Sequence, residues 1–128
     1  MRILIADDDP VVAQVVRAGL GALGWRVEVA ADAMQAVMFA NRSPPEAIIL
    51  DFNMPGGTGL TALERLRASM KTRYVPVLVL SATQDPTVRS RGEALGAAGF
   101  LAKPVDIDIL HAELCRIIGR APAANEGM

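Results

Sequence analysis

The sequence predicts an α/β fold in which a doubly wound parallel sheet of five strands, (βα)5, lies between two layers of helices. Two observations predict it. Short aliphatic runs alternate along the chain with segments of helical periodicity, and the connections between them are short. A strand–helix alternation of this kind is typical of a parallel sheet that is covered on both faces, a three-layer α/β/α architecture.

Five runs are expected to be strands because each is rich in β-branched or aliphatic residues. The first, third and fourth are almost wholly apolar, as strands are when both faces of a parallel sheet are buried. The second alternates between polar and apolar residues. The predicted strands are residues 3–6, 26–30, 47–50, 75–80 and 100–102.

Five segments are expected to be helices because apolar residues recur in most of them at intervals of three and four. Asp9, Asp32 and Asp106 are placed to cap three of these helices, and a proline follows Asp9 at the first helical position. Gly24 and Gly119 are expected to end the first and the last helix. The predicted helices are residues 10–23, 33–41, 59–70, 86–95 and 107–118.

Composition limits the classes of function. A chain of 128 residues suits one domain with a real core, and no apolar run approaches the roughly 20 residues of a membrane span. A net charge of -1 argues against nucleic acid binding through a broad basic surface. We therefore expect a cytoplasmic protein with no direct contact to nucleic acid or membrane. Residues 1–119 are expected to form the domain, and residues 120–128 a flexible tail or the start of a linker.

Polar side chains follow four of the predicted strands. The acidic run Asp7–Asp9 follows the first strand, Asp51 the third, Ser81 the fourth and Lys103 the fifth. Parallel sheets place their sites at the carboxyl ends of the strands. We therefore expect the acids to converge there, with Ser81 and Lys103 beside them.

Neighbouring carboxylates repel one another, each pair by roughly 4 kcal/mol at about 4 Å and an effective dielectric near 20. A divalent cation offsets this repulsion, and oxygen ligands with open water positions suit Mg²⁺. Asp9 is expected to turn away and cap the first helix. Mg²⁺, the Lys103 ammonium and the Ser81 hydroxyl would together hold a phosphoryl group, and a carboxylate nucleophile would then give an aspartyl phosphate.

Four motifs, "ADDDP", "LDFNMPGGTG", "VLSA" and "GFLAKP", occur in this order and at spacings that resemble the receiver domain of two-component response regulators. The resemblance covers about residues 1–119. It implies a flavodoxin-like fold and a phosphorylation switch, not an enzyme that turns over an external substrate. The phosphoryl donor would be a sensor histidine kinase or a phosphotransfer protein.

The resemblance implies a role for each residue that matches a family motif. Asp51 would be the phosphoacceptor and a metal ligand, Asp8 a direct Mg²⁺ ligand, and Asp7 the acid that orients metal-bound water. The backbone carbonyl of Asn53 would be a further ligand. Lys103 would stabilise the charge on the group in transfer.

Two further positions match the family's switch pair. Ser81 would bond a phosphate oxygen, and Phe100 would swing inward into the space that Ser81 leaves. The face built from the fourth helix, the fifth strand and the fifth helix would then bind an unknown downstream protein, or a second copy of the chain in a phosphorylation-dependent homodimer. The resemblance also implies that the Lys103-Pro104 peptide bond is cis.

Three other functions stay open at this point. One is an interaction module whose phosphorylation chemistry is silent. Another is a phosphatase of the haloacid-dehalogenase type, which needs a second acid two residues after its aspartate nucleophile, where this chain has Asn53. The third is a flavin carrier of the same fold, which needs a phosphate-binding loop after the first strand. The acids at that position would repel the phosphate.

Some residues outside the motifs are expected to be structural. His111, the only histidine, is predicted to lie on the surface, and Trp25 to cover the edge of the core. Cys115, the only cysteine, can form no internal disulfide and is predicted to be a partly buried helix residue.

Overall fold

The computed structural model describes residues 1–52, 59–82 and 86–122. Its elements alternate between strand and helix, as the sequence predicts. In chain order they are β1 (Arg2–Ala6), α1 (Pro10–Gly21), β2 (Arg26–Ala30), α2 (Ala33–Arg42), β3 (Ala47–Asp51), α3 (Gly59–Ala68), β4 (Val77–Ser81), α4 (Pro86–Ala94), β5 (Gly99–Ala102) and α5 (Ile107–Ile118).

The five strands form one parallel sheet in the order β2-β1-β3-β4-β5. The chain builds β2 on one side of β1 and then crosses to the other side to build β3. The strand order therefore reverses between β1 and β3, where Ala6 pairs with Leu50. Because Asp7 and Asp51 follow these two residues directly, the topology places both acids side by side at the switch point, where ligands bind in open α/β sheets.

Alternate strand residues serve two cores, one on each face of the sheet. On one face the strands pack against α2 and α3, with alanines at the buried positions of α2 and three leucines among those of α3. On the other face they pack against α1 and α5, where Trp25 and several leucines fill the space. Burial on both faces explains why the residues of β3 and the first four of β4 are all buried.

The three predicted N-terminal helix caps are confirmed, whereas α1 ends at Gly21, before the predicted Gly24. The Asp9 carboxylate accepts a hydrogen bond from the Val11 N–H at the start of α1, and Asp32 and Asp106 cap α2 and α5 in the same way. Gly119 ends α5 in the left-handed conformation, at φ 87°.

Some elements end earlier or begin later than predicted. Helix α3 stops at Ala68 because the chain turns at Ser69, whose carbonyl accepts hydrogen bonds from the N–H groups of Thr72 and Arg73. The Val75 N–H donates to the Thr72 carbonyl in the same turn, so β4 begins at Val77. The predicted tail, residues 120–128, lies largely outside the described residues and stays a prediction.

His111 and Trp25 differ from the prediction. Trp25 is 1% exposed and lies within the core, and its indole Nε1–H donates to His111 Nδ1 at 2.9 Å. His111 is half-buried, not a surface residue, because its Nδ1 supplies the acceptor that the buried indole N–H requires. Cys115 is half-buried, as predicted, and its Sγ lies 3.8 Å from His111 Nε2.

Among the described residues, none of the helices has the length and apolar character required to cross a membrane.

Candidate functional site

Backbone hydrogen bonds between neighbouring strands continue beyond the carboxyl ends of β1, β3 and β5. The Phe52 N–H donates to the Leu80 carbonyl at 3.0 Å, and the Lys103 N–H donates to the Ser81 carbonyl at 3.0 Å. On the other side, the Asp7 N–H approaches the Ala30 carbonyl at 3.4 Å. The residues that follow β1, β3 and β5 are thus fixed to the neighbouring strands at one edge of the sheet.

Three carboxylates meet at this edge, as the sequence predicts. Asp7, Asp8 and Asp51 each place a carboxylate oxygen within 4.8 Å of the others. Asp7 and Asp51 are buried, with 2% and 1% of their surface exposed, whereas Asp8 is exposed. Two of the three acids are therefore shielded from solvent, and the third lies on the solvent-exposed side of the cluster.

Lys103 is the cation of the cluster. Its Nζ lies 3.0 Å from Asp51 Oδ2 and 3.1 Å from Asp7 Oδ2. Three carboxylates face this one ammonium, so ionised acids outnumber it in the cluster. Taking ionised groups out of water is costly unless they are paired, so this edge favours a further cation.

The electrostatic balance is visible in two pKa values. Burial raises the pKa of the Asp7 carboxyl, while the Asp9 N–H and the Lys103 ammonium act in the opposite direction. Burial by itself lowers the pKa of Lys103, but the nearby Asp51 and Asp7 carboxylates outweigh that effect and raise it overall. Lys103 is therefore a firmly held ammonium at neutral pH.

The donor set fits a divalent cation. Asp7 Oδ1 accepts a hydrogen bond from the Asp9 N–H at 2.9 Å. Asp7 Oδ2 is buried and, although Lys103 Nζ is at ion-pair distance, no described residue donates a hydrogen bond to it with acceptable geometry. An unsatisfied carboxylate oxygen beside two others is a good ligand for Mg²⁺ or for water bound to it. Asn53, the fourth predicted ligand, lies outside the described residues.

Asp9 has a different role from its two neighbours, as predicted. Its carboxylate accepts a hydrogen bond from the Val11 N–H at 2.9 Å and therefore caps α1. It does not belong to the group of acids that meets at the sheet edge.

Ser81 and Phe100 lie on β4 and β5, the two strands that follow β3 in the sheet. Ser81 is the last residue of β4, directly after Leu80, which pairs with Asp51. Phe100 pairs with Val79, is half-buried, and directs its ring toward α4. The Lys103-Pro104 peptide bond is cis, the isomer that the resemblance implies.

The family model of the response regulator receiver domain matches residues 3–115. The chain belongs to this family. The resemblance stated from the four motifs is thereby confirmed, as is the flavodoxin-like architecture. Receiver domains are the regulatory signalling domains of two-component systems, and accepting a phosphoryl group is typical of the family.

The receiver domain is similar to named relatives in both sequence and structure. It is 34% identical over 119 residues to the DNA-binding dual master transcriptional regulator RpaA of Synechocystis, matching 93% of this chain and 49% of RpaA. Chemotaxis protein CheY4 of Vibrio cholerae superposes with a TM-score of 0.86 at 33% identity, covering 91% of this chain and 97% of CheY4. The chain thus spans about half the length of RpaA.

A third relative bears on the metal. The receiver domain of sensor histidine kinase PA1611 from Pseudomonas aeruginosa superposes with a TM-score of 0.85 at 36% identity, covering 92% of this chain and 97% of that domain. Its structure was determined with a magnesium ion coordinated in the active site cleft. A homologous receiver domain therefore binds Mg²⁺.

Sequence reasoning missed two features of the receiver domain's site. Val11 and Val15 of α1 fit a core-facing spacing but are 68% and 54% exposed, and with Lys103 and Pro104 they help to line a groove of about 490 Å³ beside the acids. Phe52 could not be recognised from the sequence, because a single aromatic residue after a strand does not by itself indicate a functional residue. Only its position directly after Asp51 distinguishes it.

Proposed function

We propose that this receiver domain is a phosphorylation switch that accepts a phosphoryl group on Asp51 from a histidine kinase or phosphotransfer protein. One observation carries the proposal: the Asp51 carboxylate is buried at the sheet edge, 3.0 Å from the Lys103 ammonium and within 4.8 Å of two more carboxylates. A nucleophile, a fixed cation and a metal-binding donor set are the parts that phosphoryl transfer requires.

Asp7, Asp8, Asp51 and the Asn53 backbone carbonyl would hold Mg²⁺. When bound, the ion supplies charge neutralisation at the oxygens of the transferring phosphoryl group. Of these ligands, Asp8 is exposed to solvent, whereas Asp7 and Asp51 are buried. A donor therefore approaches from the side of Asp8.

Transfer is a displacement at phosphorus. A carboxylate oxygen of Asp51 forms the new P–O bond while the P–N bond to the partner's histidine breaks, and the imidazole nitrogen keeps the electron pair. Lys103 is already a charged donor at this point, so it bonds a phosphoryl oxygen without having to gain a proton. Asp51 then carries an acyl phosphate, which water cleaves to regenerate the carboxylate.

The groove beside Lys103 suits the donor. Its lining is almost wholly apolar, and it adjoins the acceptor through Lys103 and Pro104. A histidine on the apolar surface of a partner helix would reach Asp51 from this position.

The switch connects Asp51 to the surface formed by α4, β5 and α5. Ser81 would bond a phosphate oxygen and Phe100 would rearrange in response. This surface carries a polar cleft of about 240 Å³, bordered by the ion pairs Arg89–Glu93 at 3.2 Å and Glu113–Arg116 at 2.8 Å. Exposed pairs of this kind are weak and exchange partners at little cost, so the surface suits a downstream protein or a second copy of the chain.

The test is the intact mass after incubation with a small acyl phosphate, with and without Mg²⁺. We expect a gain of one phosphoryl group that requires Mg²⁺, is absent in Asp51→Ala and persists in Asp32→Ala, where a remote helix-capping acid is removed. No gain under any condition would favour the silent interaction module. Steady hydrolysis of a general phosphate ester would instead favour the phosphatase.

A further inference from the structure

Phe52 connects the phosphoacceptor to the interior of the fold. It follows Asp51 directly, is 8% exposed, and belongs to the core that packs against α2 and α3. Its backbone N–H donates to the Leu80 carbonyl, which extends the β3–β4 ladder to the residue before Ser81. The Phe52 ring is therefore attached to the residue next to the phosphoacceptor and held within the core.

The Phe52 ring meets the Phe100 ring edge to face. The ring centroids are 6.5 Å apart and the planes cross at 86°. This is a favourable geometry for an aromatic pair, and it depends on orientation more than simple apolar contact does. Phe100 is the aromatic residue expected to move when the site is phosphorylated.

Helix α4 touches both rings through a glycine. A Cβ atom on Gly92 would lie 2.9 Å from Phe100 Cζ and 3.2 Å from Phe52 Cε2. The Arg89 guanidinium, one turn earlier on α4, lies 5.2 Å from the centre of the Phe100 ring. Neither ring has free space on the side of α4, so a moving ring must displace the helix or be displaced by it.

The C-terminal end of α4 is fixed. The Arg67 guanidinium of α3 donates to the carbonyls of Leu95 at 3.3 Å and Gly96 at 3.1 Å. A displacement at Gly92 therefore tilts α4 about this anchored end.

We propose that Phe52 is a positioning residue that transmits the state of Asp51 to Phe100 and α4 through the edge-to-face ring contact and the close approach at Gly92. This inference rests on the proposed function and adds a second connection beside the one through Ser81. Asp51 changes on phosphorylation, the Phe52 ring moves with its backbone, and Phe100 and α4 adjust together as one two-state element.

The experiment compares amide chemical shifts of the full chain before and after saturation with a small acyl phosphate and Mg²⁺, with intact mass measured on every sample. In the wild type we expect shift changes both near Asp51 and on α4 and β5. In Phe52→Leu we expect the same phosphoryl uptake, with the coupling between Asp51 and the α4 and β5 amides weakened about 2- to 10-fold, the range expected for the loss of one aromatic pair. Phe39→Leu is the matched control. Phe39 packs against the same core, and the Arg42 guanidinium lies 4.8 Å from the centre of its ring.

A second pair of variants tests the same contact from the helix. Gly92→Ala should displace Phe100 and move the α4 and β5 amides before any donor is added, whereas Gly21→Ala in α1, where an added Cβ meets nothing within 4 Å, should not. If phosphorylated Phe52→Leu shows the full wild-type shift changes on α4, this inference is overturned and the proposed function stands. Absence of phosphoryl uptake by the wild type would overturn the proposed function, and this inference with it.

Discussion

Lys103 Nζ lies 3.0 Å from Asp51 Oδ2 and 3.1 Å from Asp7 Oδ2, so one ammonium pairs with both buried acids. Lys103→Met would leave Asp7 and Asp51 buried without that cation. Because breaking a buried ion pair from one side is costly, we expect the free energy of unfolding in EDTA to fall by about 3 kcal/mol. Urea unfolding measures it.

The matched control is Lys71→Met, which removes an exposed lysine and should change the free energy of unfolding by less than about 0.5 kcal/mol. Added Mg²⁺ should stabilise Lys103→Met more than the wild type, since the metal then compensates the negative charge that Lys103 otherwise offsets. Equal stability of the two lysine variants in EDTA would contradict this account of the cluster.

The three consecutive aspartates should differ in role: Asp7 and Asp8 in Mg²⁺ binding, and Asp9 in capping α1. Mg²⁺ at a hundred times its dissociation constant should raise the free energy of unfolding of the wild type by about 2.7 kcal/mol. Asp8→Ala should lose most of that gain and little basal stability, because Asp8 is exposed. Asp9→Ala should lose about 1 kcal/mol of basal stability and keep the response to Mg²⁺.

Thermal unfolding with and without Mg²⁺ separates these outcomes. An Asp9→Ala protein that no longer responds to Mg²⁺ would show that Asp9 is a ligand, contrary to its hydrogen bond with Val11.

The Trp25–His111 hydrogen bond should contribute to stability through the buried indole. His111→Leu leaves the Trp25 N–H without its acceptor, so we expect the free energy of unfolding to fall by roughly 1–3 kcal/mol. Trp25→Phe in the same background should cost less than it does alone, because the two residues are coupled. Additive losses in this double-mutant cycle would mean that the 2.9 Å contact contributes nothing of its own.

Cys115 should be a slow nucleophile in the folded protein. Burial raises the pKa of its thiol, so less thiolate is present at a given pH than for a free cysteine. We expect alkylation by iodoacetamide at neutral pH to be slower in the native protein than in urea, and its rate to rise only at higher pH. A native rate equal to the denatured one would contradict the burial of this thiol.

The strand ends could be predicted from the sequence because they depend on local patterns. Asp7, Asp51 and Ser81 each follow an aliphatic run, and parallel strands bring such ends to one edge. Because strands and helices alternate strictly, the strands run parallel to one another, and their carboxyl ends lie at the same edge of the sheet. The Lys103–Asp51 contact joins residues 52 positions apart, and it became predictable only because both lie at strand ends.

Contacts that depend on tertiary packing could not be predicted in this way. Trp25 and His111 are 86 positions apart, and neither follows the carboxyl end of a strand, so no local pattern relates them. The ring contact of Phe52 with Phe100 depends on where α4 packs. Helix α4 has one buried residue among those described, Gly92, and therefore little apolar pattern from which its placement could be inferred.

The central claim is that Asp51 is the acceptor, and trapping the acyl phosphate tests it most directly. Borohydride reduces an aspartyl phosphate to homoserine, and peptide mass mapping then locates the residue. After treatment with an acyl phosphate and Mg²⁺, the account predicts homoserine at position 51 and at no other aspartate, and none when Mg²⁺ is replaced by EDTA. Homoserine at position 7 or 8, or a phosphoryl group on a side chain that borohydride does not reduce, would contradict it.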